Sequence, residues 1–168
     1  MPSLDARFAA LLDAHADVPW RIARAYTRTP ADREDLYQEM LLQTWRALPA
    51  FRGDSAERTW LTRIALNVAL GAVRTRDARP TTDAPTAVDE ARDAAPDPAT
   101  AAAHTDAVEQ LYAAIRRLDD ADRALVLLAL DERPHAEIAD VLGVRVGTVA
   151  VRLHRARARL AALLPHLS

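Results

Sequence analysis

The stretch "VLGVRVGTVAVRLHRARARLAALL", residues 141–164, decides how the chain folds. Val149, Leu153, Ala156, Leu160 and Leu163 recur in alternating steps of four and three, which is the spacing of one apolar face on an α-helix over about residues 146–164. Gly143 stands ahead of it in a short turn, where a residue without Cβ adopts a left-handed backbone most easily. A helix over about 134–142, the glycine turn and the basic helix after it form a helix-turn-helix pattern. With the apolar seam turned inward, Thr148, Val151, Arg152, Arg155 and Arg159 fall largely on the outer face, flanked by His154 and Arg157. Arg152, Arg155 and Arg159 at i, i+3 and i+7 suit phosphates and guanine edges in a major groove. No Asp or Glu occurs in the last 28 residues to pair with them along this helix. The competing reading is a solvated arginine face paired with acids elsewhere in the chain.

This local charge sits in a chain of 168 residues whose formal net charge is -2. All 22 basic residues are arginine, and they are unevenly spread. Residues 1–79 carry 12 Arg against 10 acids, residues 80–110 carry one against seven, and residues 111–168 carry nine against seven, so a near-neutral total conceals a basic end suited to phosphates.

Composition bounds the fold. Half of the residues are hydrophobic and 27% are charged, which argues for folded structure. Ala and Leu dominate, only four residues are Gly, and strand-like alternation is missing, so the expected class is all-α. Without cysteine there is no disulfide framework and no thiolate metal site, in keeping with a reducing compartment. Asp5 and Arg7 interrupt any signal-peptide pattern in "MPSLDARFAA", and no apolar run reaches about 18 residues, so a cytoplasmic protein with no membrane insertion is expected. The five histidines (15, 104, 135, 154 and 166) are dispersed, with no HExxH spacing, and no metal, cofactor or catalytic residue is expected.

Residues 79–104, "RPTTDAPTAVDEARDAAPDPATAAAH", hold four prolines among Ala, Thr and Asp with almost no large apolar side chain. Such a segment buries too little surface to offset its ordering entropy and reads as a flexible acidic linker. It separates two small helical domains, 1–78 and 105–168. The first has four helices: one after a cap at Ser3, one from Asp17 and Pro19 through Tyr26, and one from Thr29-Pro30 to about Leu48. The loop "PAFRGDS" precedes the fourth, for which Asp54 and Glu57 read as a capping box and Trp60, Leu61, Ile64, Val68 and Gly71 as the inner stripe. In the second domain helices are expected at about 105–118, 120–131, 134–142 and 146–164.

"ADREDLYQEMLLQTWRAL", "FRGDSAERTWLTRIALNVA" and "LDDADRALVLLALDERPHAEIADVLGVRVGTVAVRLHRARARL", in this order around an acidic spacer, resemble the two domains of an extracytoplasmic-function sigma factor, a bacterial RNA polymerase specificity subunit. The resemblance covers nearly the whole chain outside the linker. It implies promoter recognition and help in promoter melting, with core RNA polymerase (the largest-subunit clamp helices and the flap) and promoter DNA as partners. An anti-sigma factor covering both domains is common in the family and is left open. In "DREDLYQE" it implies that Asp32, Asp35, Gln38 and Glu39 dock on the clamp helices, although acids near a helix start are also favoured by the macrodipole. For the promoter -10 element, where a base is flipped into a pocket, it points to Arg52, Ser55, Arg58, Arg63 and Asn67. For the -35 element it points to Arg145, Thr148, Val151, Arg152, His154, Arg155 and Arg159.

The sequence also departs from the family pattern. Leu66 stands where an arginine is common, and Ala150 and Val151 stand where Lys and Ser are usual, which removes cations and one hydroxyl. Val151 suits a thymine methyl instead. Pro134 occupies a usual cap position and Arg145 replaces a turn proline, recovering a phosphate contact. A stand-alone helix-turn-helix regulator is the alternative, and it differs in binding a two-fold symmetric site tightly without polymerase. A small helical enzyme ranks below both.

Overall fold

The computed structural model describes residues 2–78 and 98–164. Among them all regular structure is helical: α1 (Leu4–His15), α2 (Asp17–Tyr26), α3 (Pro30–Ala47), α4 (Glu57–Asp77), α5 (Pro98–Ile115), α6 (Asp120–Leu130), α7 (His135–Leu142) and α8 (Val146–Leu163), with a short 3-10 turn at Leu48–Ala50. The chain divides into two compact units between residues 89 and 90, a point outside the described residues.

Caps explain where α1 and α3 begin. The Ser3 hydroxyl accepts the Ala6 N–H at 3.2 Å, and the Thr29 hydroxyl accepts the Asp32 N–H at 3.1 Å with Pro30 following as the first helical residue. Each satisfies an N–H that the helix itself leaves unpaired. Thr27, just past α2, donates its hydroxyl to the Ala23 carbonyl at 2.7 Å and is buried. α2, α3 and α4 pack against one another around Ile22, Met40, Leu61 and Ala65, while α1 adds Leu11 and sets Phe8 edge-on to Trp45 at 5.2 Å.

Two sequence expectations for α4 are corrected. Ala56, not Asp54, holds the cap position, and it offers no side-chain acceptor. Gly53 turns the chain at φ +80°, which leaves Asp54 exposed in the loop, while Glu57 in the first turn still complements the helix dipole. The buried stripe is Leu61, Thr62, Ala65, Leu66 and Ala69. Trp60, Ile64, Val68 and Gly71 are only half-buried. Small alanines let the neighbouring helices approach closely, so the core follows them rather than the largest side chains. Leu66 therefore fills the interior where the family pattern has a cation.

In the second unit α6 is buried almost throughout, from Ala124 to Leu128, and α7 and α8 pack against it through Ile138, Ala139, Val149, Leu153 and Ala156. Arg123 ties the preceding segment to α6, donating to the carbonyls of Arg116 and Leu118, each at 2.9 Å. Gly143 ends α7 at φ +66°, and the Val144 N–H reaches back to the Ala139 carbonyl at 3.0 Å. α5 starts at Pro98, so helix extends into the last seven residues of the expected linker. Pro is tolerated in a first turn, and the alanines after it are the best helix formers. Residues 79–97 of that linker lie outside the described residues.

Candidate nucleic-acid interface

The helix-turn-helix sets the faces of α8. Val149, Leu153 and Ala156 are buried against the unit. Thr148, Val151, His154 and Arg155 point outward, and Arg145 is exposed at the cap. Arg155, Arg157 and Arg145 form no ion pair with any described residue. Val151 is 53% exposed, a large apolar side chain placed in water on a face that is otherwise polar.

Arg152 and Arg159 do something else. They turn to the start of α6, where Asp122 is buried at 5% exposure. The Asp122 carboxylate accepts Arg152 Nε at 3.2 Å and Nη2 at 2.8 Å on Oδ1, and Arg159 Nη1 at 2.7 Å on Oδ2. Asp119 caps α6 by accepting the Asp122 N–H at 2.8 Å, and it accepts Arg159 Nη1 at 3.3 Å. Its carboxyl is held below the ordinary 3.8, first by that backbone N–H and then, against the opposing effect of burial, by Arg152 and Arg159. Two acids thus offset two of the arginines, and the outward charge of α8 comes from Arg155 and Arg157, with Arg145 at its start.

In the first unit α3 and α4 border a groove of about 690 Å³. Asp32, Asp35, Glu39 and Gln43 form one wall, Asn67 and Arg76 stand on the other, and Leu36, Ile64 and Val68 lie between them. Gln38 lies on the adjacent exposed ridge and donates to Glu34 at 2.9 Å. Of the residues expected at the -10 element, Arg52 is exposed, Ser55 and Arg63 are half-buried, and Asn67 shares the groove with the α3 acids. Arg58 forms a two-pronged pair with Asp17, at 3.0 and 2.7 Å. Phe51 stacks on Trp60 at 4.7 Å, which holds the start of this loop to the first turn of α4. Trp20, 39% exposed, meets Tyr37 edge-on at 5.5 Å and lies under the Arg33 guanidinium at 5.8 Å.

Residues 11–79 match sigma-70 region 2, and residues 108–160 match sigma-70 region 4. The sequence is 37% identical over 163 residues to the ECF RNA polymerase sigma factor SigM of Mycobacterium tuberculosis, spanning 96% of this chain and 79% of the relative. The chain belongs to the extracytoplasmic-function (ECF) RNA polymerase sigma factors. The fold of this sigma factor is similar to that of RpoE in complex with the anti-sigma factor NepR from Bartonella quintana, with a TM-score of 0.68, 22% identity and 95% of each chain covered. It is also similar to CnrH in complex with the cytosolic domain of CnrY, with a TM-score of 0.66, 28% identity, and 96% and 89% of the two chains covered. Region 2 of the sigma factor thus contains the acid-walled groove and the Phe51–Trp60 loop, and region 4 contains the helix-turn-helix. Among the described residues no helix is long and apolar enough to cross a membrane.

Proposed function

We propose that this ECF sigma factor directs core RNA polymerase to its promoters through three surfaces and contributes binding rather than chemistry of its own, acting in the cytoplasm. Asp32, Asp35, Gln38 and Glu39 dock the first unit on the clamp helices of the largest subunit. The observation that carries this assignment is the groove whose α3 wall presents Asp32, Asp35 and Glu39 along about two turns, which favours a basic partner element.

Arg52, Ser55, Arg58, Arg63 and Asn67 serve the -10 element. The stacked Phe51–Trp60 pair supports this reading by giving the loop an anchored aromatic platform beside exposed polar groups. Arg145, Thr148, Val151, His154 and Arg155 meet the -35 element, because the N-terminal part of a recognition helix is the part that reaches base edges. The second unit also rests on the flap. The anti-sigma factors named with RpoE and CnrH support a further expectation, that an anti-sigma partner holds this factor inactive.

Run-off transcription tests the reading. Purified full-length chain with core polymerase, on DNA from upstream of its own gene, is expected to give a discrete transcript that core polymerase alone does not make. A chain that never co-elutes with core, or that binds a symmetric duplex tightly by itself, would sink the assignment.

A further inference from the structure

We infer that Asp122 is a positioning residue for -35 recognition: it draws Arg152 and Arg159 off the DNA-facing side of α8, fixes the rotation of that helix, and leaves base reading to Arg155, His154 and Val151. This rests on the assignment of α8 to the -35 element.

The geometry separates two sets of cations on one helix. Asp122 is the most buried carboxylate among the described residues, and its two oxygens accept three N–H groups from two arginines about two helical turns apart. Arg152 and Arg159 are seven residues apart, so both lie on one side of α8 and are gripped at two heights. Bonds to a carboxylate off the helix axis resist rolling of α8 about that axis, and holding it at two heights resists tilting as well. Asp119 adds a second anion at 3.3 Å from Arg159 and 3.8 Å from Arg152, so the cluster is neutral.

A phosphate competing for either arginine would leave a desolvated carboxylate short of partners, which is strongly unfavourable in a buried site. DNA therefore meets these two side chains as part of the scaffold. Arg155 lies between them in sequence but points outward, with His154 and Val151 beside it on the exposed side.

The test uses holoenzyme assembled from the full chain and core polymerase, with a labelled duplex carrying the -35 element that wild-type holoenzyme selects from a randomised pool. Affinity is measured across a range of KCl concentrations for wild type, Arg152→Gln, Arg159→Gln, Arg155→Gln and Asp122→Asn. Each phosphate contact contributes about 0.9 to the slope of log affinity against log salt. Arg152→Gln and Arg159→Gln should keep the wild-type slope, since neither side chain rests on phosphate. Arg155→Gln should lose about tenfold of the preference for the selected over a scrambled duplex. Asp122→Asn should steepen the slope by about one and weaken that preference, because arginine charge is released toward the backbone while α8 loses its register.

A slope flattened by about one in Arg152→Gln would overturn the inference, and so would an unchanged slope in a folded Asp122→Asn protein. If Asp122→Asn does not fold, the two Gln variants still decide. Failure of wild-type holoenzyme to select any duplex would remove the -35 assignment itself, an outcome distinct from a flattened slope.

Discussion

Arg58, in the first turn of α4, and Asp17, in the first turn of α2, are joined by two hydrogen bonds of 3.0 and 2.7 Å across 41 residues of sequence. Arg21 approaches the same carboxylate at 3.3 Å. The Asp17 side chain is half exposed, so the pair adds at most about 1 kcal/mol to folding. Its larger consequence is for DNA, since Asp17 is an anion placed directly on a residue assigned to the -10 element. Asp17→Asn should leave chemical denaturation nearly unchanged. It should strengthen holoenzyme binding to a single-stranded -10 oligonucleotide by about two- to fivefold at low salt, equivalent to about 0.4–1 kcal/mol. Unaltered or weakened binding would show that Arg58 serves the fold alone.

The acidic wall of the region 2 groove makes a different demand. Asp35 lines the groove and Gln38 stands on the ridge beside it, and both are exposed, so replacing them removes no core packing. Both lie inside α3, where alanine is the best helix former. Asp35→Ala combined with Gln38→Ala should therefore preserve the circular-dichroism spectrum while abolishing co-elution with core polymerase. Full transcription by this double variant would move the docking surface elsewhere.

The turn between α7 and α8 supplies a stability test free of packing effects. Gly143 has φ +66°, and a Cβ built there would meet no atom within 4 Å. Gly143→Ala should thus cost only the left-handed backbone penalty, about 1–2 kcal/mol in denaturant melts, with Gly143→Asn costing less because Asn tolerates that conformation. A loss much larger than that would mean that the turn carries a contact beyond its own backbone.

Much of the architecture was legible in the sequence because it rests on local signals. Ser3, Thr29-Pro30, Gly143 and the seam of α8 each act within a turn or two of helix, and each stands where its neighbours predicted. The inner stripe of α4 was not legible, since periodicity shows a repeat but not which of two adjacent apolar rows the other helices press against. The start of α5 was missed because proline and sparse bulk outweighed a run of alanines. The largest gap concerns Arg152 and Arg159. Their own helix holds no acid, and the competing reading of acids elsewhere in the chain holds for both, but the partners lie 30 to 40 residues earlier, in "LDDAD", where Asp119 and Asp122 look like ordinary helix-start acids. Asp17 escaped notice in the same way. Ion pairs across elements leave no spacing to read, and only the packing of α6 against α8 and of α2 against α4 brings them together.

The cap of α6 gives the region 4 unit a defined response to acid. In the folded chain the Asp119 carboxyl lies below its ordinary 3.8, chiefly because the Asp122 N–H binds its ionised form, with Arg152 and Arg159 adding to that and burial opposing it. A folded-state value below the unfolded one makes this group's contribution to stability complete above the unfolded value, and the contribution is lost as pH falls through the folded value. Asn caps a helix about as well as Asp but does not titrate. Asp119→Asn should thus melt at a somewhat lower temperature than wild type near pH 7, where the two arginines miss its charge. As pH falls below about 4 and through the lowered folded-state value, the wild-type melting temperature should fall more steeply, so that the two curves approach each other. Parallel curves over that interval would show that Asp119 holds α6 and α8 together no better ionised than neutral.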